Sequence, residues 1–427
     1  MASTHPSLLV FSANDEESLG NAIKDVEEFY ILQQPSLDNL AHTLGSRGEH
    51  LPHRAFAIAE SGAPFDVTRV KTTTATRAAA PVFLFSGQGA QWPGMGKELM
   101  AAYDSYLQDI RVMDSHLASL EQPPGFSIEN ELQKPASTSL LDKAQYSDPT
   151  SIALQVALVN LLRSWGIKPS AVIGHSSGDQ AAAYAAGILT MEEAITISYY
   201  RGLALQSRAC RGGMAAIGLG ASELVPLLPP TISIGCVNSG RSVTISGDKS
   251  ALESFIRDLK KIKPDVFARA VPVEMAYHSP HMQAAGEVFQ QLLEGCITPK
   301  EPNIPYYSTV KDKFMTEGKE LGPSYWVDNL VSPVLFYSGV KAILDRQDLA
   351  GNPHLEIGPY SALSASLKHI YKEVGMKPQY LSVMIRDADA RRSIFKAVGQ
   401  LFCAGADVDF QAMNPKGTTL ASVPGYG

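Results

Sequence analysis

Hydrophobic spacing along the chain changes period several times, and each change marks an expected element. Ser7–Ser12 reads as a strand around the apolar run Leu8–Phe11, and Glu16–Tyr30 then repeats its apolar positions at helical spacing. Leu37–Leu44 does the same over two turns, and Arg54–Ala59 returns to a strand pattern. Together they predict a small N-terminal α/β module, closed by the Thr- and Ala-rich stretch VKTTTATRAAAP at 70–81. The main body opens with the short apolar strand Val82–Phe85, followed at once by the Gly-rich SGQGAQWPGMG. Asp148-Pro149 reads as an N-cap with proline at the first helical position. Ile152–Trp165 is apolar on nearly every face, as a helix in the middle of a large domain would be, and Gly166 ends it. Ala171–Ile173 predicts a further strand, with helices over Asp179–Gly187 and Met191–Leu205.

From Gly213 to Val273 the texture differs. Strand patterns at Met214–Leu219, Ile232–Val237, Ser242–Ser246 and Val266–Val273 enclose helical patterns at Ala221–Leu228 and Lys249–Lys263. In the second helix Leu252, Phe255, Ile256 and Leu259 recur at i, i+3, i+4 and i+7, and Pro264 ends it. The order βαββαβ is that of a ferredoxin-like unit inserted into the larger domain. Mixed α/β patterning then resumes, with Leu355–Pro359 as a strand-to-turn signal.

Composition narrows the function classes. The chain has 427 residues, 45% of them hydrophobic and 19% charged, which describes a globular protein of two to three domains. A formal net charge of −7 speaks against a nucleic-acid or membrane-surface role. Mean hydropathy is −0.04, and no apolar run has the length of a membrane span. MASTHPSLLVFSANDEE carries no basic leader, so no secretory signal is expected. The four cysteines, Cys210, Cys236, Cys296 and Cys403, form no CxxC pair, which fits a reducing cytoplasm and neither a zinc ribbon nor a disulfide scaffold.

Gly174-His175-Ser176-Ser177-Gly178 is a GxSxG between a predicted strand and helix, the context of a nucleophile elbow. Such a turn presents the Ser176 hydroxyl at a helix N-terminus and aims the Ser177 N–H at a developing oxyanion. The hydroxyl needs a base. His278, in VPVEMAYHS where a strand pattern gives way to a loop, is the candidate, with an ordinary loop histidine as the plainer account. His281 follows three residues later, but HxxH without glutamate is a poor zinc motif, and no metal is expected. For His175, packing and hydrogen bonding beside the nucleophile are preferred over a role as base. The loop Phe85–Gln91 offers a backbone N–H as a second oxyanion donor, with mere strand-end geometry as the plainer account of its GxG. Arg201 interrupts an apolar helix, so it needs an anion partner or a route to water. A substrate carboxylate and a structural ion pair both satisfy that requirement.

FSGQGAQWPGMG, GHSSGDQAAAYAAG, YYRG, MAYHSPHM, YWVDNLVSPVLF and LEIGPYSAL, in this order, resemble the malonyl-CoA:acyl-carrier-protein transacylase family. The chain is most similar to the acyltransferase domain of a fungal iterative, highly reducing polyketide synthase. LVFSANDEESL and LAHTLGSRGEHLPHRAFAI resemble the linker that follows the ketosynthase in such synthases, and LASVPGYG the linker after the acyltransferase. The resemblance implies a linker module at 1–78, an α/β hydrolase-like core with a parallel sheet at 79–212 and 274–400, the ferredoxin-like subdomain at 213–273 and a C-terminal linker at 401–427. It implies a piece of a longer cytoplasmic chain. Ser176 and His278 would be a catalytic dyad, the histidine oriented by a main-chain carbonyl. The N–H groups of Gln88 and Ser177 would form the oxyanion hole, and Arg201 would bind the free carboxylate of a malonyl group. Met275, Tyr277 and His175 are placed at the substrate pocket. Malonyl-CoA and a phosphopantetheinylated acyl carrier protein would be the substrates, with no bound cofactor. The partners would be that carrier, the neighbouring ketosynthase and other synthase domains, with no nucleic acid and no membrane.

Three positions depart from the family pattern. Met275-Ala276-Tyr277 matches neither the HAF form associated with malonyl units nor the YAS form associated with methylmalonyl units, and Tyr277 should narrow the pocket in favour of malonyl. Tyr360 stands where histidine is common, and Gln180 where an aliphatic residue is usual. A serine hydrolase or thioesterase, and a non-catalytic scaffold piece, are the competing readings. Arg257, Lys260, Lys261 and Lys263 cluster at one helix end. A solvated face is the plainer account of them, and docking of an acidic carrier the sharper one.

Overall fold

Among the described residues, three sheets, each with its own strand order, organise the fold. The computed structural model describes residues 6–46, 50–69, 80–207 and 211–424. Most of the Thr- and Ala-rich stretch, the expected boundary at 78/79, Cys210 and residues 425–427 lie outside them.

In the N-terminal sheet β1 (Ser7–Ala13) pairs antiparallel with β2 (His53–Ala59), and β2 with β3 (Asp66–Arg69). Sequence patterning missed β3, whose four residues DVTR carry one aliphatic side chain and no apolar alternation. The strands alternate their faces, and this splits their side chains between two cores. Leu9, Phe11, Ala55 and Ala57 pack with Leu19, Ile23 and Val26 of the Glu16–Gln33 helix and Leu37, Leu40 and Leu44 of the Leu37–Ser46 helix. Leu8, Val10, Phe56 and Ile58 belong to the core of the main body instead. They meet it through the Ala390–Cys403 helix, which packs on β1 and β2.

The main body is built on a sheet that begins with β4 (Val82–Phe85) and β5 (Ala171–Gly174). All eight residues of these two strands are buried, which is why they read as continuous apolar runs with no alternation. Between β5 and the rest of that sheet the chain forms a four-stranded antiparallel sheet. It consists of β6 (Gly213–Ile217), β7 (Ile232–Ser239), β8 (Ser242–Gly247) and β9 (Ala268–Val271) in the order β7-β8-β6-β9, the ferredoxin-like arrangement. It has its own core of Ile217, Leu224, Val243, Ile245, Leu252, Phe255 and Leu259. The main sheet then gains β10 (Tyr306–Ser308), β11 (Lys313–Met315), β12 (His354–Ile357) and β13 (Tyr380–Ser382), giving the order β11-β10-β5-β4-β12-β13. Only β11 runs antiparallel to its neighbour in it.

Some elements differ from expectation. The long buried helix spans Ala144–Ser164, with Pro149 inside it and Lys143 at its N-cap. Asp148, expected as a cap, is therefore a fully buried helical residue. The predicted Ala221–Leu228 helix keeps one α turn, Ala221–Leu224, before Pro226 shifts it to a 3₁₀ turn. Beyond the Ala390–Cys403 helix the chain returns to the N-terminal module. Thr418 N–H donates to Asn39 Oδ1 at 2.9 Å, Leu420 N–H to Thr43 Oγ1 at 2.9 Å, and Val423 enters the module's core. Among the described residues no helix is long and apolar enough to cross a membrane.

Arg54 joins the module to the body. It donates to the carbonyls of Leu51 (3.0 Å), Phe402 (2.9 Å) and His50 (3.2 Å), and its guanidinium lies 4.8 Å from the Phe402 ring. Hydrogen bonds to a charged donor are worth about 1.5–3 kcal/mol each and do not add fully. Arg54→Ala should therefore lower the unfolding free energy by about 2–4 kcal/mol in urea titration. A loss within about 0.5 kcal/mol, the range of an ordinary surface substitution, would contradict this joint.

Candidate active site

The elbow is a sharp reversal between β5 and the Asp179–Ala185 helix. His175 is still extended, but Ser176 has φ +55°, a left-handed conformation that costs a non-glycine residue about 1–3 kcal/mol. Close packing imposes it. A Cβ on Gly174 would lie 2.3 Å from Asp179 Cα, and one on Gly178 2.5 Å from Phe85 O, so only glycine fits at either flank. His175 N–H donates to Phe85 O at 2.8 Å, Thr309 Oγ1 to Gly174 O at 3.0 Å, and Asn329 Nδ2 to Ser176 O at 3.2 Å.

His278 also has a positive φ, +58°. Its N–H donates to Leu330 O at 3.1 Å, and its Nδ1 lies 3.1 Å from Ser332 O. A carbonyl only accepts, so Nδ1 carries the proton, and Nε2 turns its lone pair to Ser176 Oγ at 2.7 Å. Burial, then the Arg201 charge, then His175 push the imidazole down to about 3, so the ring is neutral near pH 7. A hydroxyl facing the lone pair of a neutral, fixed imidazole can give up its proton to it. The partner of Nδ1 is a carbonyl, so the third, acidic member of a hydrolase triad is not what orients this ring.

The loop after β4 lies against the elbow. Gln88 N–H donates to Ser177 Oγ at 3.0 Å, and Gln88 Nε2 to Ser147 Oγ at 3.3 Å. The two segments expected to supply oxyanion donors are therefore in contact. Arg201, on the Met191–Ser207 helix, is 1% exposed, and its Nη1 donates to Asp148 Oδ2 at 2.5 Å. The ion pair left open by the sequence is present, yet Nε and Nη2 have no partner among the described residues. The guanidinium also lies 5.5 Å from the ring of Tyr277, which is buried next to His278. Met275 is partly buried against the main core, and its backbone bridges to Arg211. His175 turns its Nε2 to Asn238 Oδ1 at 2.8 Å and packs on Phe336, which ties the elbow to the small subdomain. Tyr360 lies under the Arg386 guanidinium, 4.8 Å away, and Gln180 is buried with neither amide atom partnered among the described residues. Of the basic cluster, Lys260 donates to Val266 O, Lys261 pairs with Asp258 at 2.8 Å, and Lys263 lies 3.8 Å from Glu223, as a solvated face would.

Sequence reasoning missed three residues. Asp148 was read as a cap. Asp179, directly after the elbow, accepts from Tyr306 (2.8 Å), Tyr325 (2.7 Å) and Asn329 (3.4 Å), and burial pushes its carboxyl up to about 7. Asn329 lies within YWVDNLVSP, a segment quoted for resemblance without any role. The available signals were the acidic residue after GHSSG and the amide two residues before Val331-Ser332-Pro333.

Residues 82–408 match the family described as acyl transferase domain. The chain belongs to the acyl transferase domain family. It is 42% identical over 98% of its length to a highly reducing polyketide synthase of Gibberella moniliformis, and 40% identical over 98% to a squalestatin hexaketide synthase of a Phoma species. It spans only 17% and 16% of the lengths of these relatives. Among solved structures, the acyltransferase domain from module 8 of the salinomycin polyketide synthase superposes with a TM-score of 0.84 at 25% identity, covering 95% of this chain and 98% of that one. A loading acyltransferase from the avermectin modular polyketide synthase gives 0.68 at 29% identity, covering 75% and 99%. The elbow, the facing histidine and the buried arginine thus lie in the matched region of an acyl transferase domain.

Asn329 holds the backbone of Ser176, so its loss should be felt beyond stability. Asn329→Ala should cost about 1–3 kcal/mol in unfolding, as a removed buried donor does, and should slow acylation of Ser176 tenfold or more in folded protein. An acylation rate equal to wild type in that folded fraction would refute a role in placing Ser176.

Proposed function

We propose that this acyl transferase domain moves a malonyl unit from malonyl-CoA, through an ester on Ser176, to the phosphopantetheine thiol of an acyl carrier protein. The observation that carries the reading is the 2.7 Å contact between Ser176 and a neutral His278 beside a buried guanidinium with one edge unused. Ser176 Oγ attacks the thioester carbonyl while His278 Nε2 takes its proton. The oxyanion is received by the N–H groups of Ser177 and Gln88, the latter exchanging its present acceptor, Ser177 Oγ. The C–S bond then breaks, and the proton on His278 passes to the departing CoA sulfur. In the second half the carrier's thiol gives its proton to His278 and attacks the ester. Ser176 leaves as the alcohol, taking that proton back.

The Nε–Nη2 edge of Arg201 suits a bidentate contact with the free malonyl carboxylate. Tyr277, packed beside the guanidinium, favours malonyl over a branched unit. Relatives about six times as long as this chain support a setting in a multidomain synthase, with the carrier and ketosynthase as partners and segments 1–78 and 401–427 as linkers.

Intact-mass analysis after mixing with malonyl-CoA should show one malonyl adduct that Ser176→Ala abolishes. Arg201→Ala should lower malonyl loading by about 2–4 kcal/mol of transition-state stabilisation and acetyl loading far less. Equal losses would refute the carboxylate contact, and release of free malonate without transfer to the carrier would favour a thioesterase. The acid limb of the acylation rate should also lie well below about 6.5, the ordinary histidine value. Protonation removes the lone pair that His278 needs, and its lowered pKa moves that event to lower pH. A rapid-quench pH profile with a limb near 6.5 would contradict a buried, neutral base.

A further inference from the structure

The Arg201–Asp148 pair is buried yet incompletely used. The side chains are 1% and 0% exposed and share one hydrogen bond. Arg201 Nε, Arg201 Nη2 and Asp148 Oδ1 have no partner among the described residues. Buried polar atoms are nearly always satisfied, so the unused Nε–Nη2 edge of Arg201 marks a place that a ligand acceptor completes. The pair sits at the reacting centre: the Arg201 charge is one of the causes that hold His278 neutral, and its guanidinium lies over Tyr277, the neighbour of His278. Asp148 comes from another helix, Ala144–Ser164, and burial raises its carboxyl despite the arginine.

We propose that Asp148 is a resident counter-ion that lets this pocket load short acyl groups without a second carboxylate, acetyl and its homologues, as well as malonyl. The proposal rests on the reading of Arg201 as the group that receives the malonyl carboxylate. The charge count decides it. With acetyl on Ser176, a lone guanidinium would be a buried cation without a partner, the situation that makes such sites reject monocarboxylic groups. Asp148 supplies the missing anion. With malonyl, two carboxylates share one guanidinium, Asp148 on Nη1 and the substrate on the Nε–Nη2 edge. Five N–H donors allow both, but the like charges oppose each other. Asp148 therefore weakens the preference for malonyl from both sides and sets how strictly the pocket selects. Asparagine at 148 keeps an acceptor for Nη1 and removes only the charge.

The test is competition between equimolar malonyl-CoA and acetyl-CoA, read as the ratio of the two Ser176 adducts by intact mass. Wild type should load both. Asp148→Asn should raise the malonyl-to-acetyl ratio tenfold or more, mainly by losing acetyl. An unchanged ratio, equal losses of both adducts, or wild type that loads malonyl alone would overturn the proposal while leaving the acyltransferase reading intact. Wild type that forms no adduct on Ser176 would overturn both. Should Asp148→Asn not fold, Arg201→Gln is compared with Arg201→Gln/Asp148→Asn, which holds no lone buried charge. Removing Asp148 should then restore malonyl loading severalfold and leave acetyl loading unchanged. Equal malonyl rates in the two would overturn the proposal.

Discussion

The 2.7 Å contact between Ser176 and His278 depends on two residues that both occupy the left-handed region of backbone space. Neither conformation is stable locally, so each must be over-determined by its surroundings. One short segment contributes to both. Asn329 bonds the carbonyl of Ser176, Leu330 O accepts from the His278 backbone, and Ser332 O receives the His278 ring. The helix that carries this segment, Pro323–Val331, is tied to the elbow helix through Tyr325 and Asp179. Ser176 and His278 come from parts of the chain 102 residues apart, but they are measured against the same four residues.

Burial acts on the charges of this centre in opposite directions. It drives His278 toward its neutral form and Asp179 toward its protonated form. A lowered histidine contributes stability that is present above about 6.5, its ordinary value, and is lost as the pH falls toward about 3. A raised carboxyl does the reverse: its contribution is greatest in acid and is lost as the pH rises from about 4 to about 7. Between about pH 4 and pH 6.5 the two offset each other, so the centre can be desolvated for chemistry without making the fold steeply pH-dependent. Arg201 cannot neutralise itself in this way, because a guanidinium keeps its proton. A buried arginine needs an anion at all times, and Asp148 is that anion.

Much of this was legible in the sequence, for identifiable reasons. The elbow is a local motif whose glycines are fixed by contacts within a few residues and with one neighbouring strand. The ferredoxin-like unit announced itself through alternation and through the helical spacing of Leu252, Phe255 and Leu259. The histidine could be picked only by its place at a strand end and by resemblance, since nothing local shows that Leu330 and Ser332 will orient it. Asp148 was misread because Asp-Pro is a sound capping signal. A helix that starts a full turn earlier is favoured here by packing against the Met191–Ser207 helix, a tertiary effect that local preference does not contain. β3 was missed because its partner on β2 supplies the register that its own residues lack.

The family match covers 82–408, but the packing defines a larger unit. β1 and β2 present one face to their own helices and the other to the main body. Cutting the chain at 80 would expose Ala390–Cys403 surface that now covers Leu8, Val10, Phe56 and Ile58. At about 25 cal/mol per Å² of apolar area, four such side chains represent several kcal/mol, comparable with the whole stability of a small domain. The returning C-terminal segment adds Val423 to the module's other core and bonds Asn39 and Thr43. A linker that merely connected two domains would have no reason to place alternate residues of one sheet in two cores. The module thus shares a core with the main body and packs on the Ala390–Cys403 helix, which in turn packs beside β13 at the edge of the sheet that carries the elbow.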